Sequence, residues 1–169
     1  MRFSTAVRIS VVLGVLMGSQ VLAEPSSASQ PTHNKPLPFG QPRDQVQLRL
    51  EQQCAEITIH ENLPLEVPTA KVSQTQIDCI DYRPMQHQGT SEWIFADGEL
   101  DIVWVLSPLE TLEAVKADLA QRNVLPEYSL PGMADFYLDR GFGLRFQPTE
   151  FLYFSDRLKP YYQAWLESM

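Results

Sequence analysis

The sequence predicts an α+β fold: an antiparallel sheet of four to six strands with two or three helices packed on one face, in a single domain. Apolar residues recur at helical spacing in residues 44–57 and 109–119, and alternate with polar residues in several shorter segments. A favoured hairpin turn at 97–98 joins two of these alternating segments. Short connections of this kind predict antiparallel pairing between neighbouring strands.

The first 23 residues have the composition of a secretory signal peptide. Arg2 and Arg8 give a positive start, residues 9–17 form an apolar run, and small residues ending at Ala23 form a cleavage site. A membrane anchor is the alternative, but this stretch is interrupted by glycines and polar residues. It is also shorter than the roughly 20 apolar residues that a spanning helix needs. The sequence therefore predicts an exported protein, periplasmic or secreted, with no membrane span after cleavage.

Residues 24–42 (EPSSASQPTHNKPLPFGQP) predict a flexible segment. Five prolines and several small polar residues favour extended, solvated backbone over helix or strand. His33 lies in this segment and is therefore no catalytic candidate. The predicted α+β domain spans residues 43–169, long enough for one hydrophobic core.

The charge of the chain restricts its partners. It has 13 basic and 21 acidic residues, a net charge of −8 and no Lys/Arg-rich stretch. An acidic surface repels nucleic acid and anionic lipid headgroups. We therefore expect no nucleic-acid partner.

Cys54 and Cys79 are the only cysteines. An oxidising compartment favours their pairing, and a bridge over 25 residues is worth about 3.5 kcal/mol in the chain-entropy model. A cysteine nucleophile and a metal pair are the alternatives, but the chain has no CxxC spacing and no zinc-type histidine pattern. The bridge would tie the end of the first helix to a strand. The helix is predicted from Val46, Leu50, Cys54 and Ile57, with Asp44 as its cap, and the strand from residues 76–82.

Residues 92–106 (EWIFADGELDIVWVL) carry the strongest local signal. Asp97-Gly98 is a favoured hairpin turn because both positions tolerate positive φ. Counting outward from the turn pairs Phe95 with Leu100 and every following residue in step. This register predicts one wholly apolar, buried face and an opposite face that carries three carboxylates. The apolar face consists of Trp93, Phe95, Leu100, Ile102, Trp104 and Leu106; the carboxylates are Glu92, Glu99 and Asp101.

The next segment predicts the best-specified helix. Ser107, Pro108 and Glu110 have the spacing of a capping box. Apolar residues at 109, 112, 115 and 119 form one stripe, and Asn123 can end the helix. Further along, residues 136–154 predict more sheet, with a turn at 140–141, and residues 161–167 predict a closing helix.

A weak internal similarity aligns residues 150–158 with residues 92–100. Both segments combine a glutamate, an aromatic strand pattern and a final leucine. They suggest two hairpin-like units that add strands to one sheet, although amphipathic strands resemble one another without common origin.

Aromatic residues concentrate after residue 128 and hint at binding. Tyrosine and tryptophan offer large contact areas with a polar edge, which suits a site for a protein or a small apolar ligand. The alternative is a thick aromatic core. The candidate binding residues are Tyr128, Tyr137, Tyr153, Tyr161, Tyr162 and Trp165.

Catalytic and cofactor motifs are missing from the sequence. It contains no GxSxG elbow, phosphate-binding loop or dinucleotide fingerprint, so no cofactor is predicted. The carboxylates near the hairpin provide too few oxygen ligands for a calcium loop, and no metal site is predicted. A non-enzymatic binding or protein-interaction module is the leading expectation. The alternative is a small periplasmic hydrolase that uses His60, His87 and the hairpin carboxylates as acid–base groups.

The export signal and the disulfide generate one prediction. The mature protein, isolated from its native compartment, should begin at Glu24 and weigh two hydrogens less than the reduced chain. Intact mass measured under non-reducing, alkylating conditions tests both features. Two alkylated thiols would contradict the bridge, and a retained amino-terminal segment would contradict the cleavage.

Overall fold

The fold is built on one antiparallel sheet of eight strands. The structure, a computed structural model, describes residues 37–82 and 89–169. The α+β class and the antiparallel pairing are confirmed, but the expected four to six strands were too few. The spatial order is β1-β2-β3-β4-β8-β7-β6-β5. The strands are β1 (Glu56–His60), β2 (Gln74–Ile80), β3 (Thr90–Ala96), β4 (Glu99–Leu106), β5 (Tyr128–Leu130), β6 (Ala134–Tyr137), β7 (Phe142–Phe146) and β8 (Thr149–Phe154).

Among the described residues, three α-helices accompany the sheet: α1 (Arg43–Gln53), α2 (Leu109–Gln121) and α3 (Lys159–Glu167). Buried Val46 and Leu50 of α1 and Leu112 of α2 belong to one core cluster, whereas Leu166 of α3 belongs to another. Neighbouring residues of β3 alternate between the two clusters, which shows that the clusters lie on opposite faces of the sheet. The helices therefore pack on both faces of the sheet, whereas the sequence predicted that they share one face. We name the two sides the α1–α2 face and the α3 face.

The sheet consists of two halves with the same order of elements. Each half is a helix followed by four consecutive antiparallel strands, and the halves join where β4 pairs with β8. Trp104 lies opposite Leu152 near the middle of this seam. If the two halves arose by duplication, the sequence of β4 should align with that of β8, because each is the fourth strand of its half. The sequence similarity instead aligns β3 with β8, and residues 156–158 form a single 3₁₀ turn rather than the second arm of a hairpin.

The predicted disulfide is confirmed. Cys54 ends α1 and bonds to Cys79 of β2, with a Cα–Cα distance of 5.6 Å. Both residues lie in the core cluster of the α1–α2 face. The bridge therefore fixes the end of α1 to the sheet. Ile57, expected to continue the helix, belongs instead to β1.

The hairpin is confirmed at its turn, but its register changes after two pairs. Asp97 and Gly98 have φ values of 52° and 84°, as the predicted turn requires. Phe95 pairs with Leu100, but Ile94 pairs with Ile102, so Asp101 is an extra residue in β4. Such a bulge reverses the side to which every later residue of the strand points.

This reversal corrects the predicted apolar face. Val103 and Val105 join the core of the α1–α2 face together with Trp93, while Ile102 lies in the core of the α3 face. Trp104 pairs with Glu92, is only partly buried, and lies on the α3 face rather than in the predicted core.

Asp101 is fully buried and hydrogen-bonded from two distant segments. Thr69 Oγ1 donates to one carboxylate oxygen at 2.5 Å, and Ser155 Oγ donates to the other at 2.6 Å. Arg157 Nη2 lies 3.4 Å from the carboxylate and also pairs with Glu99. These partners satisfy a charge that is otherwise costly to bury.

The segment 61–73 folds across one end of the α3 face. Val67 and Ala70 are buried in the core of that face. The Asp97 carboxylate accepts hydrogen bonds from the backbone N–H groups of residues 71–73 at 2.7–3.0 Å. Gln74 Oε1 accepts two more from residues 66 and 67, each at 2.9 Å. The hairpin turn thus holds a loop that covers part of the sheet.

Residues 37–42, which precede the predicted domain boundary, contact the folded domain. Leu37 and Phe39 pack against the core of the α1–α2 face, and Pro42 bridges to Glu99 of β4. Residues 37–42 therefore pack against the sheet domain that follows them. Residues 1–36, which include the predicted signal peptide and His33, lie outside the described residues.

The predicted helix caps differ in detail. Ser107 is buried, but its hydroxyl makes no hydrogen bond within the described part of the chain, and the capping box with Glu110 does not form. Asp44 accepts a hydrogen bond from the backbone N–H of Gln45 and does not cap α1. Asn123 has positive φ just after α2, consistent with its predicted role in ending that helix.

None of the helices within residues 37–82 and 89–169 combines the length and the hydrophobicity of a membrane-spanning segment.

The buried bulge generates a stability prediction. We expect Asp101→Ala to lower the free energy of unfolding by about 2–4 kcal/mol, because it leaves buried hydroxyl donors without an acceptor. Glu99→Ala, two positions away and on the same arginine, is the matched control and should cost less than about 1 kcal/mol. Chemical denaturation at pH 7 measures both. Equal losses of stability in the two variants would show that the Asp101 carboxylate does not stabilise the bulge of β4.

Candidate functional site

A strip of the α3 face stays open between the two segments that cover its ends. Segment 61–73 covers the sheet beside the hairpin turn, and α3 packs over the strands of the second half. The side chains along the open strip share one face because they occupy paired positions on neighbouring strands or positions two residues apart on one strand. They are His60 of β1, Gln76 and Asp78 of β2, Glu92 of β3, Trp104 of β4, Glu150 of β8 and Arg145 of β7.

The middle of this strip is a polar cleft of about 490 Å³. Its floor is formed by the sheet, and its walls include Leu63 and Pro64 of the covering loop and Pro148 from the β7–β8 turn. Its volume lies within the range of small-molecule and side-chain pockets. The polar groups that line the polar cleft are Glu66, Gln74, Gln76, Glu92, Arg145 and Glu150.

Arg145 connects the charged and aromatic parts of the cleft. Its guanidinium Nη1 lies 2.7 Å from Glu150 Oε1, its neighbour on the adjacent strand. The same guanidinium lies 5.4 Å from the centre of the Trp104 ring, a cation–π contact. These two contacts hold Arg145 over the seam between the two halves of the sheet.

Glu92 and Glu150 face the cleft with incomplete charge compensation. Burial raises the pKa of the Glu92 carboxyl, the nearby Asp78 carboxylate raises it further, and His60 opposes both. Burial also raises the pKa of Glu150; Arg145 lowers it, while Glu92 raises it again. Titratable groups with raised pKa values in a cleft are a recognised feature of functional sites.

His60 lies at the edge of the strip, beside the cleft. Its Nε2 atom is 2.8 Å from Asp78 Oδ2, and Gln76 donates a hydrogen bond to the other oxygen of that carboxylate at 2.7 Å. His60 therefore lies within hydrogen-bond reach of a carboxylate, although neither residue lines the polar cleft. Nowhere in residues 37–82 and 89–169 does a group of three potential metal ligands come together. His87 lies outside the described residues.

A second, apolar cleft of about 300 Å³ lies next to the first, between α3 and strands β5–β7. Trp104 and Arg145 line both clefts and form the boundary between them. The apolar side chains that line this apolar cleft are Leu130, Met133, Phe136, Leu152, Tyr162 and Trp165.

The six aromatic residues predicted to bind do not share one surface. Tyr137 is buried in the core of the α1–α2 face, stacked on Phe142, and Tyr153 packs beside that core. On the other side of the sheet, Tyr128 donates a hydrogen bond to Glu167 at 3.1 Å. Tyr161 is exposed on α3 without lining either cleft.

Tyr162 and Trp165 are the two predicted residues that line a cleft. Tyr162 packs between Phe136 and Phe154, and Trp165 makes an edge contact with Phe136 while 47% of its surface stays exposed. The six aromatic residues are therefore divided between the core of the α1–α2 face, the lining of the apolar cleft and the remaining surface of the α3 side.

Neither Arg145 as a lining residue nor the position of Trp104 on the α3 face was predicted from the sequence. Arg145 is the only charged residue of the strand FGLRF, and this isolation was a signal that its side chain leaves the core. Trp104 was assigned to the core because the bulge at Asp101 was not foreseen.

Searches of protein-family models, curated proteins and solved structures each returned no match to the chain.

The raised pKa of Glu92 generates a prediction about stability and pH. A carboxyl whose pKa is raised by folding stabilises the protein below its unfolded pKa, near 4.5, and loses that contribution as the pH rises through the folded value. We therefore expect Glu92→Gln to stabilise the protein at pH 7 and to have little effect below about pH 4.5. Solvent screening of this partly exposed group keeps the gain at pH 7 to about 0.5–1 kcal/mol.

Thermal unfolding of both proteins at pH 4 and pH 7 measures this effect. Glu113→Gln, on the exposed side of α2, is the matched control and should change stability equally little at both values. A Glu92→Gln variant that is less stable at pH 7 would show that the cleft compensates the charge.

Proposed function

We propose that this protein is an exported, non-enzymatic binding module and that its ligand site is the pair of clefts on the α3 face. The observation that carries the proposal is the shared boundary formed by Trp104 and Arg145 between a polar and an apolar cleft. Binding sites combine apolar walls with a few convergent polar groups, and tryptophan and arginine are the side chains that most often dominate binding energies.

The incomplete cover of the sheet supports the same function. The opposite face is closed by α1 and α2, whereas the α3 face leaves Trp104 partly exposed and Trp165 47% exposed. Large aromatic side chains that remain accessible beside a cleft are available to a ligand without rearrangement of the core.

Two features support export to the periplasm or the outside of the cell. The first is the signal-like composition of residues 1–23, and the second is the bond between the only two cysteines. Structural disulfides persist in oxidising compartments and are rare in reducing ones.

A small hydrolase is the second candidate function. It is favoured by two carboxyls of raised pKa, Glu92 and Glu150, in one cleft and by the His60–Asp78 pair at its edge. Such groups can exchange protons with a substrate and a water molecule. A broad hydrolase screen tests this candidate, and turnover that Glu92→Gln or His60→Ala abolishes would replace the binding module by an enzyme.

The binding function is tested by capture of partners from envelope extract with the mature, disulfide-bonded protein. We expect Trp165→Ala to lose the captured species because it removes a wall of the apolar cleft. Tyr161→Ala is the matched control: it removes an aromatic ring of similar exposure from the same helix but outside the cleft, and should retain capture. Equal capture by both variants would contradict a site at the clefts.

A further inference from the structure

We propose that the paired clefts dock a segment of a partner protein that carries an apolar side chain and, about three residues away, a lysine or arginine. This inference rests on the proposed binding function and names its ligand. The apolar residue would enter the apolar cleft beside Trp165, and the cation would enter the polar cleft beside Glu92.

Charge complementarity identifies the cation. The polar cleft is lined by three carboxylates, Glu66, Glu92 and Glu150, and by a single guanidinium, that of Arg145. Arg145 is already paired with Glu150, so Glu92 is left with carboxylates of Asp78 and Glu150 nearby and with His60 as its opposing group. A ligand cation placed next to Glu92 would relieve this repulsion, whereas an anion would add to it.

The whole chain favours the same sign of partner. Its net charge of −8 attracts basic segments over long range and disfavours docking of a second copy of the chain. A basic segment gains more from the carboxylates in the polar cleft than from those on the exposed surface, because salt screens partly buried charges less.

The spacing of the clefts sets the spacing of the two side chains. The polar cleft is centred near β4 and the apolar cleft near β7, and β8 lies between these strands. Two strand spacings amount to about 10 Å. A peptide in the polyproline II conformation has three residues per turn and advances about 3.1 Å per residue, so residues three positions apart lie on the same side, about 9 Å from each other. An apolar and a basic residue three positions apart therefore fit both clefts at once when the segment adopts this conformation.

The test measures binding of short, end-blocked peptides to the full mature chain by calorimetry. The probe carries a leucine and, three residues later, a lysine in a glycine–serine background. Its matched controls replace the lysine by acetyl-lysine or glutamate, or the leucine by serine. We expect the lysine probe to bind at least about fivefold more tightly than the acetyl-lysine probe, and more weakly as salt increases.

Variants assign the two contacts. Glu92→Gln should weaken the lysine probe about fivefold and leave the acetyl-lysine probe unchanged, while Glu113→Gln should change neither. Trp165→Ala should weaken both probes about tenfold or more, and Tyr161→Ala neither.

Three results would overturn the proposal. Binding that depends on Trp165 but is equal for lysine and glutamate probes would retain the binding module and reject the cation. Binding of butylamine without binding of the lysine probe would assign the polar cleft to a small amine. Binding of none of the probes would reject a basic peptide segment, while capture that depends on Trp165 would still support the binding module.

Discussion

The buried carboxylate of Asp101 determines how the two faces of the sheet are assigned. As the extra residue of β4, it reverses the alternation of that strand, so that Val103 and Val105 enter the core and Trp104 does not. Without the bulge, the predicted register would bury Trp104 under α1 and α2 and would turn Val103 to the opposite side. The open strip of the α3 face, with Trp104 at its centre, therefore depends on one buried charge and on its hydrogen bonds to Thr69 and Ser155.

The turn and the bridge could be predicted because their determinants are local or unique. Asp97-Gly98 requires positive φ at two adjacent residues, and Cys54 has a single possible partner. The bulge could not be predicted, because nothing in residues 99–106 distinguishes it from regular alternation. The groups that stabilise it are 32 and 54 residues away in sequence, and burying Asp101 is favourable only once those groups have been brought together by folding.

The candidate site shows the same limit for a different reason. The aromatic residues after position 128 were identified by type, but alternation along short strands sends neighbours to opposite faces, as Phe136 and Tyr137 show. Glu92, Arg145 and Glu150 come from three strands, and the seam between β4 and β8 brings the first half of the chain next to the second. No sequence spacing predicts that these charges meet. Of the six aromatic residues predicted to bind, Tyr162 and Trp165 of α3 are the two that line a cleft in the described part of the chain.

The position of the clefts at the seam gives the two halves unequal roles. The first half contributes Glu92 and Trp104, and the second contributes Arg145, Glu150 and the walls of the apolar cleft. Only the second half is followed by a helix on this face, so α3 covers part of the second half while the loop 61–73 covers part of the first. A cleft forms where this cover ends, and the partly buried carboxylates of Glu92 and Glu150 face it. The placement of α3, rather than the sheet itself, therefore determines where the clefts lie.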